Sequence, residues 1–586
     1  MRPPRQSSTW PRRPRPTSPA RRSKSPAEFP ALPDTSSTVG DLVAAFLDAC
    51  GVRTAFGVIS IHNMPVLDAF ARGNRMRFVP ARGEAGALNM ADAFARVSGG
   101  LGVGVTSTGV AAGNAAGSLV EARTAGSPVL HLTGQIERGW LDRGWGYIHE
   151  APDQPTMLKG VSKAFFRVGA PEETLDVLRE AVRTARTPPA GPVSVEIPID
   201  VQSAAVDMPE SLTAPRTART RPAPADLDAL AEAVAAARRP ILWLGGGARG
   251  ADSAALRLAD MGVGIVTSTN GRGVVPETHP MTLGAFNAAP PAEEFYGTCD
   301  LLVVVGSRLR GNETLKWNLG LPEQRWRVDC DPSIDGRGYT TARFVRGDAV
   351  AALGGLADRL TGRLRLDPAF AADLGAARQA AEAGLRANLG ENWSAVLDAV
   401  KAHFPAGAPW VRDITLSNSI WGNRAVPLTG SRQGVHSLGG AIGQGLPMAV
   451  GAALAEPGCR TVALVGDGGF ALNLGELATA AQEGAPVTVL LMNDGGYGVI
   501  RNIQDARYGG RRHYADLLTP DFAALCASMG VRHLKAGSVA AFREALPKAL
   551  DGDGPAVLEV DMAGIGPFAR PFAGPPVREK KRSGAP

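Results

Sequence analysis

The chain has 586 residues, 44% hydrophobic and 20% charged, which is the composition of a soluble globular protein of about three to four domains. No apolar run reaches the roughly 18–20 residues of a membrane span, and five scattered cysteines without metal-ligand spacing exclude a disulfide framework or zinc site and imply a reducing, cytoplasmic setting. The net charge of +6 belongs to residues 1–24, which hold seven Arg, one Lys and no acid; the rest is near −2, so nothing in the folded body asks for nucleic acid.

Residues 1–37 are rich in Pro, Arg and Ser and poor in apolar side chains, so a disordered, solvated basic extension is expected. An Arg- and Ser-rich, acid-poor start also fits a transit peptide, but its prolines oppose the amphipathic helix such peptides use. The absence of an apolar h-region excludes a secretory signal. Residues 38–205 alternate helix and strand patterns: helix Val39–Cys50, strand Thr54–Val58, strand Arg77–Ala81, helix Glu84–Arg96, then Gly102–Thr106, a glycine-rich turn, a helix and Val129–Thr133. That alternation predicts a doubly wound parallel sheet. Glu84 opens its helix where a strand has just ended, a position that suits an ordinary first-turn glutamate as well as a functional one.

A Pro- and Arg-rich linker is expected over 206–226, and a second α/β domain over 227–360 with strands Pro240–Leu244, Gly264–Thr267, Leu301–Val305 and Trp326–Val328. Gly245–Gly250 matches the spacing of a dinucleotide fingerprint, yet Ser268, Thr269 and Asn270 end the next strand where an acid should meet the ribose. Residues 361–395 read as a helical connector. A third α/β domain follows over 396–565, with a strand at Trp410–Ile414 and a tail over 566–586.

In this last domain Thr461–Val465 is a β-branched run ending at Gly466-Asp467-Gly468-Gly469. Residues 473–483 have helical spacing, and Val487–Met492 is a second apolar run closed by Asn493-Asp494-Gly495-Gly496. A β-α-β unit of this kind has parallel strands and a right-handed crossover, so Asp467 and Asn493 end neighbouring strands on the edge where open α/β sheets bind ligands. Glycine turns admit an anion to backbone N–H groups, and a carboxylate, an amide oxygen and a turn carbonyl are hard ligands for Mg²⁺.

A GDG followed about 25–30 residues later by Asn resembles the signature of the thiamine diphosphate (ThDP) enzymes, and the resemblance spans residues 38–565. It implies three α/β domains in the order pyrimidine-binding, central and diphosphate-binding. It also implies Mg²⁺ held by Asp467, Asn493 and the carbonyl of Gly495, with Gly466, Gly468 and Gly469 around the diphosphate. Glu84, within RFVPARGEAGALNMADAFAR, takes the place of the family's activating glutamate, which bonds the aminopyrimidine; Gly83 stands where a histidine is usual. His436–Met448 resembles the GGLGxxLP segment. Ile442 is then the apolar prop beneath the bent cofactor, and the Gly440 carbonyl the acceptor for its amino group. Ser417 and Asn418 fall where relatives contact the diphosphate. Thr106–Asn114 resembles TxGPGxxN, with Val110 and Ala111 replacing Pro-Gly. Gln135 matches the TGQ of the acetolactate-synthase branch, and His62 falls where a decarboxylase branch has a histidine, although a surface or loop-fixing histidine fits too. The family's central domain holds FAD in some branches and is structural in most, the reading favoured here.

The implied reaction is decarboxylation of a small-molecule 2-oxo acid. The first expectation is an acetolactate-synthase-like enzyme, which adds the resulting enamine to a second carbonyl compound, as Gln135 and overall similarity favour. The alternative is a simple decarboxylase, which releases an aldehyde, as His62 and the altered loop at 56–65 favour. A catalytically silent ThDP-fold protein is the lesser alternative. Because family sites pair Glu84 of one subunit with Asp467 and Asn493 of another, a homodimer is the least assembly expected and a homotetramer the common one.

Overall fold

The computed structural model describes residues 37–574, so the basic extension and the end of the tail lie outside the described residues. Three sheets, all parallel, organise the chain. The first has six strands in the spatial order Arg77–Pro80, Thr54–Gly57, Gly102–Thr106, Val129–Gln135, Val193–Pro198 and Ala164–Arg167. The second has five, in the order Arg343–Arg346, Arg325–Asp329, Leu301–Val305, Pro240–Leu244 and Gly264–Thr267. The third has six: Gly434–His436, Trp410–Arg412, Thr461–Gly466, Val487–Asn493, Ala556–Asp561 and Arg532–Ala536. First and third sheets share one strand order, as their common strand–turn–helix plan predicts. Central strands such as Leu301–Val305 and Val129–Gln135 are buried along their whole length, which explains the continuous apolar run of the first; the second also buries His131, Thr133 and Gln135.

The first and third domains join through helices. Glu84–Ser98 packs along Gly445–Ala455, and one apolar core runs from Phe56, Leu88 and Met90 to Met448, Val465 and Val489. Ala-rich faces let these two helices approach closely.

Two expected elements differ. The helix expected over 473–483 starts later, as Glu476–Gln482, and a separate short helix, Asp467–Leu472, precedes it. They part because the buried Glu476 carboxylate at the second start accepts the Arg82 N–H (3.1 Å) from the first domain and the Thr479 hydroxyl (2.7 Å). The connector is a longer helix, Phe370–His403, broken at Gly390 (φ 76°), where Ala569 of the tail sits against the break and Phe568 stacks on Trp393 at 4.5 Å. After the Asn493–Gly496 turn comes the helix Gly498–Arg507, half-buried at its start and exposed at its end. Of the five cysteines, Cys50, Cys299 and Cys526 are buried and Cys330 and Cys459 half-buried; all are free thiols. Among the described residues no helix is long and apolar enough to cross a membrane.

Candidate active site

The carboxyl edge of the third sheet gathers one set of expected residues. Strand pairing sets Gly466 beside Met492, so Asp467 at the start of its helix meets the Asn493–Gly496 turn. The Asp494 N–H donates to Asp467 Oδ1 (3.3 Å), while Asp467 Oδ2 is buried with no partner. Asn493 is oriented at both ends: its Nδ2 donates to Glu559 (2.9 Å) and its Oδ1 accepts from the Gly495 N–H (3.2 Å). Burial raises the Asp467 pKa, and burial with the neighbouring Asp467 charge raises that of Asp494 to about 6. Arg501 answers only part of this charge, through Asp494 (2.9 Å) and the Gly495 carbonyl (3.3 Å). An orphaned carboxylate oxygen beside a second acid, an oriented amide oxygen and a turn carbonyl fit a hard divalent cation. Among the described residues no three His, Cys, Asp or Glu side chains cluster as a metal site, so a cation here draws on amide, carbonyl and ligand oxygens. Gly468 is required by space: a Cβ would lie 2.7 Å from the Tyr497 ring and 2.9 Å from the Gly496 carbonyl.

The loop carrying Gly440 and Ile442 is clamped at both ends by buried acids. Glu121 accepts the Leu438 N–H (2.7 Å) and Gly439 N–H (2.6 Å), and its charge is met by Arg96, which also pairs with Asp92 and donates to the His436 carbonyl (2.7 Å). Asp413, its pKa pushed up to about 6 by burial, accepts the Gly443 N–H (2.9 Å) and Gly445 N–H (3.2 Å). Between the clamps Gly440 is exposed and Ile442 half-buried, so both face open space. Sequence reading missed Glu121 and Asp413. The signal available was an acid inside an otherwise small, apolar helix and another ending a buried strand.

Ser417 and Asn418 stand on the π-type turn Asn418–Gly422 after the strand Trp410–Arg412. Both are buried; Ser417 Oγ and Asn418 Oδ1 have no partner, and the Asn418 side chain lies against Gly422.

In the first domain, half-buried Glu84 accepts from Asn114 Nδ2 (3.0 Å), across the starts of two helices. His62 lies on the loop after Thr54–Gly57. It is buried, which rules out a surface histidine, and its ring meets that of His149 edge-on at 5.1 Å. Gln135 is enclosed: its Oε1 accepts from Thr108 (2.8 Å) and the Ile136 N–H (2.8 Å), and its Nε2 donates to Glu196 (3.2 Å). Its amide therefore serves a buried network that also includes Gln154 and Arg167. Among the described residues no hydrogen bond joins Glu84, His62 or Gln135 to the Asp467 cluster.

The glycine fingerprint lines a separate cleft of about 540 Å³ between the first and central domains. Arg249 within it donates to the Asn270 carbonyl (2.9 Å) and the Gly434 carbonyl (2.8 Å), so it ties the central domain to the third.

Two parallel sheets of one topology, one presenting a cation-ready carboxylate edge and the other a glutamate-opened helix, define a cofactor-binding α/β protein of the diphosphate type. Family models agree along the chain: "Thiamine pyrophosphate enzyme, N-terminal TPP binding domain" matches residues 37–157, the central domain 227–356, and the C-terminal TPP binding domain 417–560. The "Probable 2-ketoarginine decarboxylase AruI" of Pseudomonas aeruginosa is 34% identical over 81% of this chain and 85% of its own. An acetolactate synthase of Mycobacterium bovis is 29% identical over 84% and 82%. The acetolactate synthase isozyme 1 large subunit of Escherichia coli is 28% identical over 89% and 93%. The chain belongs to the thiamine diphosphate-dependent 2-oxo acid enzyme family.

Proposed function

We propose that the protein decarboxylates a 2-oxo acid with ThDP and Mg²⁺ and releases the product as an aldehyde. The observation that carries this reading is His62, buried beside His149 with its Nδ1 unpartnered. A ring so placed can hand over one proton, the step that ends a simple decarboxylation. Burial, and then the neighbouring His149, lower the His62 pKa, while Glu137 raises it. The 34% relative is described as a decarboxylase, against 28–29% for the synthases.

When bound, ThDP supplies the nucleophilic carbon and the electron sink for loss of CO₂. The chain's own residues bind and orient. Asp467, Asn493 and the Gly495 carbonyl hold Mg²⁺. Gly466, Gly468 and Gly469 present N–H groups to the diphosphate at a helix start, with Ser417 and Asn418 nearby. Ile442 and the Gly440 carbonyl fix the ring geometry on a loop held by Glu121 and Asp413. Glu84 holds the proton at the aminopyrimidine, oriented by Asn114. With Glu84 on one subunit and the metal edge on another, the working form is at least a homodimer. The central domain is structural, without FAD, and the enzyme is cytoplasmic.

Carboligation is the second reading, favoured by the TGQ segment and the synthase relatives. Product analysis separates the two. Purified protein with ThDP and Mg²⁺ is given pyruvate, 2-oxobutyrate, benzoylformate and 2-oxo-5-guanidinovalerate, and CO₂ and carbon products are followed by NMR. The reading expects CO₂ with an equal amount of aldehyde from at least one acid. A 2-hydroxy-2-methyl-3-oxo acid as the main product would replace it with carboligation.

A further inference from the structure

Beside His62, at the carboxyl edge of the first sheet, lies a second group that sequence reading did not single out. Glu137 follows the strand Val129–Gln135 by two residues. Its Oε1 accepts from the Tyr147 hydroxyl (3.3 Å), and its Oε2 is buried with no partner at all. Its charge acts on His62, and the Tyr147 that donates to it stands two residues before His149, whose ring meets that of His62 at 5.1 Å. His62 is 4% exposed and its Nδ1 is also unpartnered. Buried polar atoms are nearly always paired, and two left over in one place mark a missing partner.

The position is fixed from several sides. Gln202 donates to the His62 carbonyl (2.7 Å), and that carbonyl packs over Gly134. His149 adopts φ +70°, in the left-handed region, and its carbonyl lies against Gly109 (φ +62°), where a Cβ would collide. Gly109 precedes by five residues the Asn114 that orients Glu84, roughly 7–8 Å along a helix. Gly109 thus joins the loop of His149 to the helix whose Asn114 bonds Glu84.

The chemistry of the orphans selects the partner. A carboxylate oxygen only accepts, and an anionic group there would be repelled. An apolar group would leave Oε2 buried and unpaired. A planar cation with several N–H donors answers a buried carboxylate oxygen. The same loop already accommodates such a group: the Arg143 guanidinium lies over the rings of Trp145 (5.0 Å) and Trp140 (5.9 Å), and Tyr147 stacks on Trp140.

We propose that Glu137 receives the guanidino end of a 2-oxo acid and is the residue that sets substrate choice, which leaves His62 free to serve the reacting carbon. This rests on the decarboxylase reading for its chemistry, but it concerns binding and is tested apart from turnover. Two measurements are made on the full-length protein with ThDP and Mg²⁺, for wild type and Glu137→Gln. Calorimetry measures binding of 5-guanidinovalerate and of heptanoate, an apolar chain of similar length. Kinetics compare kcat/KM for 2-oxo-5-guanidinovalerate and 2-oxooctanoate. Wild type should prefer the guanidino compound in both assays, and Glu137→Gln should lower that preference by about 10- to 150-fold, the loss expected for a hydrogen bond to a charged group. A misfolded fraction lowers both members of each ratio and leaves the ratio intact. Equal binding of the two acids by wild type, or a ratio unchanged by Glu137→Gln, overturns the proposal. Discriminating binding without CO₂ from any acid would uphold the Glu137 site and overturn the decarboxylase reading instead.

Discussion

Asp467→Asn tests the metal edge with little disturbance to the fold. The asparagine keeps the Oδ1 acceptor that the Asp494 N–H uses at 3.3 Å, and it fills the same buried space. What it removes is the charge on Oδ2, the oxygen with no partner in the protein. In the free protein that oxygen stabilises nothing, and burial already disfavours its charge, so the variant should unfold at a temperature no lower than wild type. In the complex the oxygen is a ligand to a divalent cation. One charge-assisted contact is worth about 1.5–3 kcal/mol, and the outer partners of metal ligands alone change affinity about 10- to 100-fold. The ligand itself should therefore account for at least about 100-fold in ThDP·Mg²⁺ affinity, or about 2.7 kcal/mol. Calorimetric titration of ThDP at fixed Mg²⁺ measures this directly. Raising Mg²⁺ and ThDP together should recover part of the turnover, because the lesion lies in cofactor capture. Binding within threefold of wild type would refute the assignment of Asp467, and a lower unfolding temperature would show that its carboxylate serves the fold.

Glu121→Gln removes the charge that answers Arg96 and weakens two acceptors for the loop bearing Gly440. Arg96 keeps Asp92, so the loss is that of charge-assisted hydrogen bonds, about 1.5–3 kcal/mol, and ThDP binding should weaken in parallel, read by thermal melts with and without cofactor. Gly468→Val should abolish ThDP binding in calorimetry, because its side chain must displace the Tyr497 ring or the Gly496 carbonyl. His131 lies fully buried between Thr106 (2.9 Å) and Ser194 (3.0 Å), its pKa pushed down to about 3 by burial. With the folded value below the unfolded 6.5, the unfolded chain binds the proton first, and stability is lost as pH falls below 6.5. Between pH 7 and 5.5 wild type should lose about 1.3 kcal/mol more than His131→Gln in urea unfolding; equal losses would place the ring's charge elsewhere.

The parts of the fold legible in sequence were those with local signals. Central strands such as Leu301–Val305 are apolar throughout, and the turns after Val465 and Met492 carry Gly, Asp and Asn where a strand must end. Glu84 and Asp467 were found through the motifs that hold them, each just after a strand. The late start of the helix at Glu476 was not legible, since the Glu476 carboxylate serves Arg82, almost four hundred residues away. Glu121 and Asp413 escaped for the same reason: each is a single acid whose partners come from another segment. Gln135 was found by its motif, but its motif gave no hint that Thr108 and Glu196 would occupy its amide.

The central claim is that this chain binds ThDP and that Glu84 activates it. Proton–deuteron exchange at the thiazolium C2 of the bound cofactor, followed by rapid acid quench and NMR, tests this without any choice of substrate. Wild type should exchange C2 far faster than free ThDP at the same pH. Glu84→Gln should bind ThDP·Mg²⁺ within about threefold of wild type yet exchange at least about 100-fold more slowly, the scale of a lost general acid–base group. Equal exchange in the two proteins, with cofactor bound to both, would contradict the role of Glu84 and with it the site as assembled here.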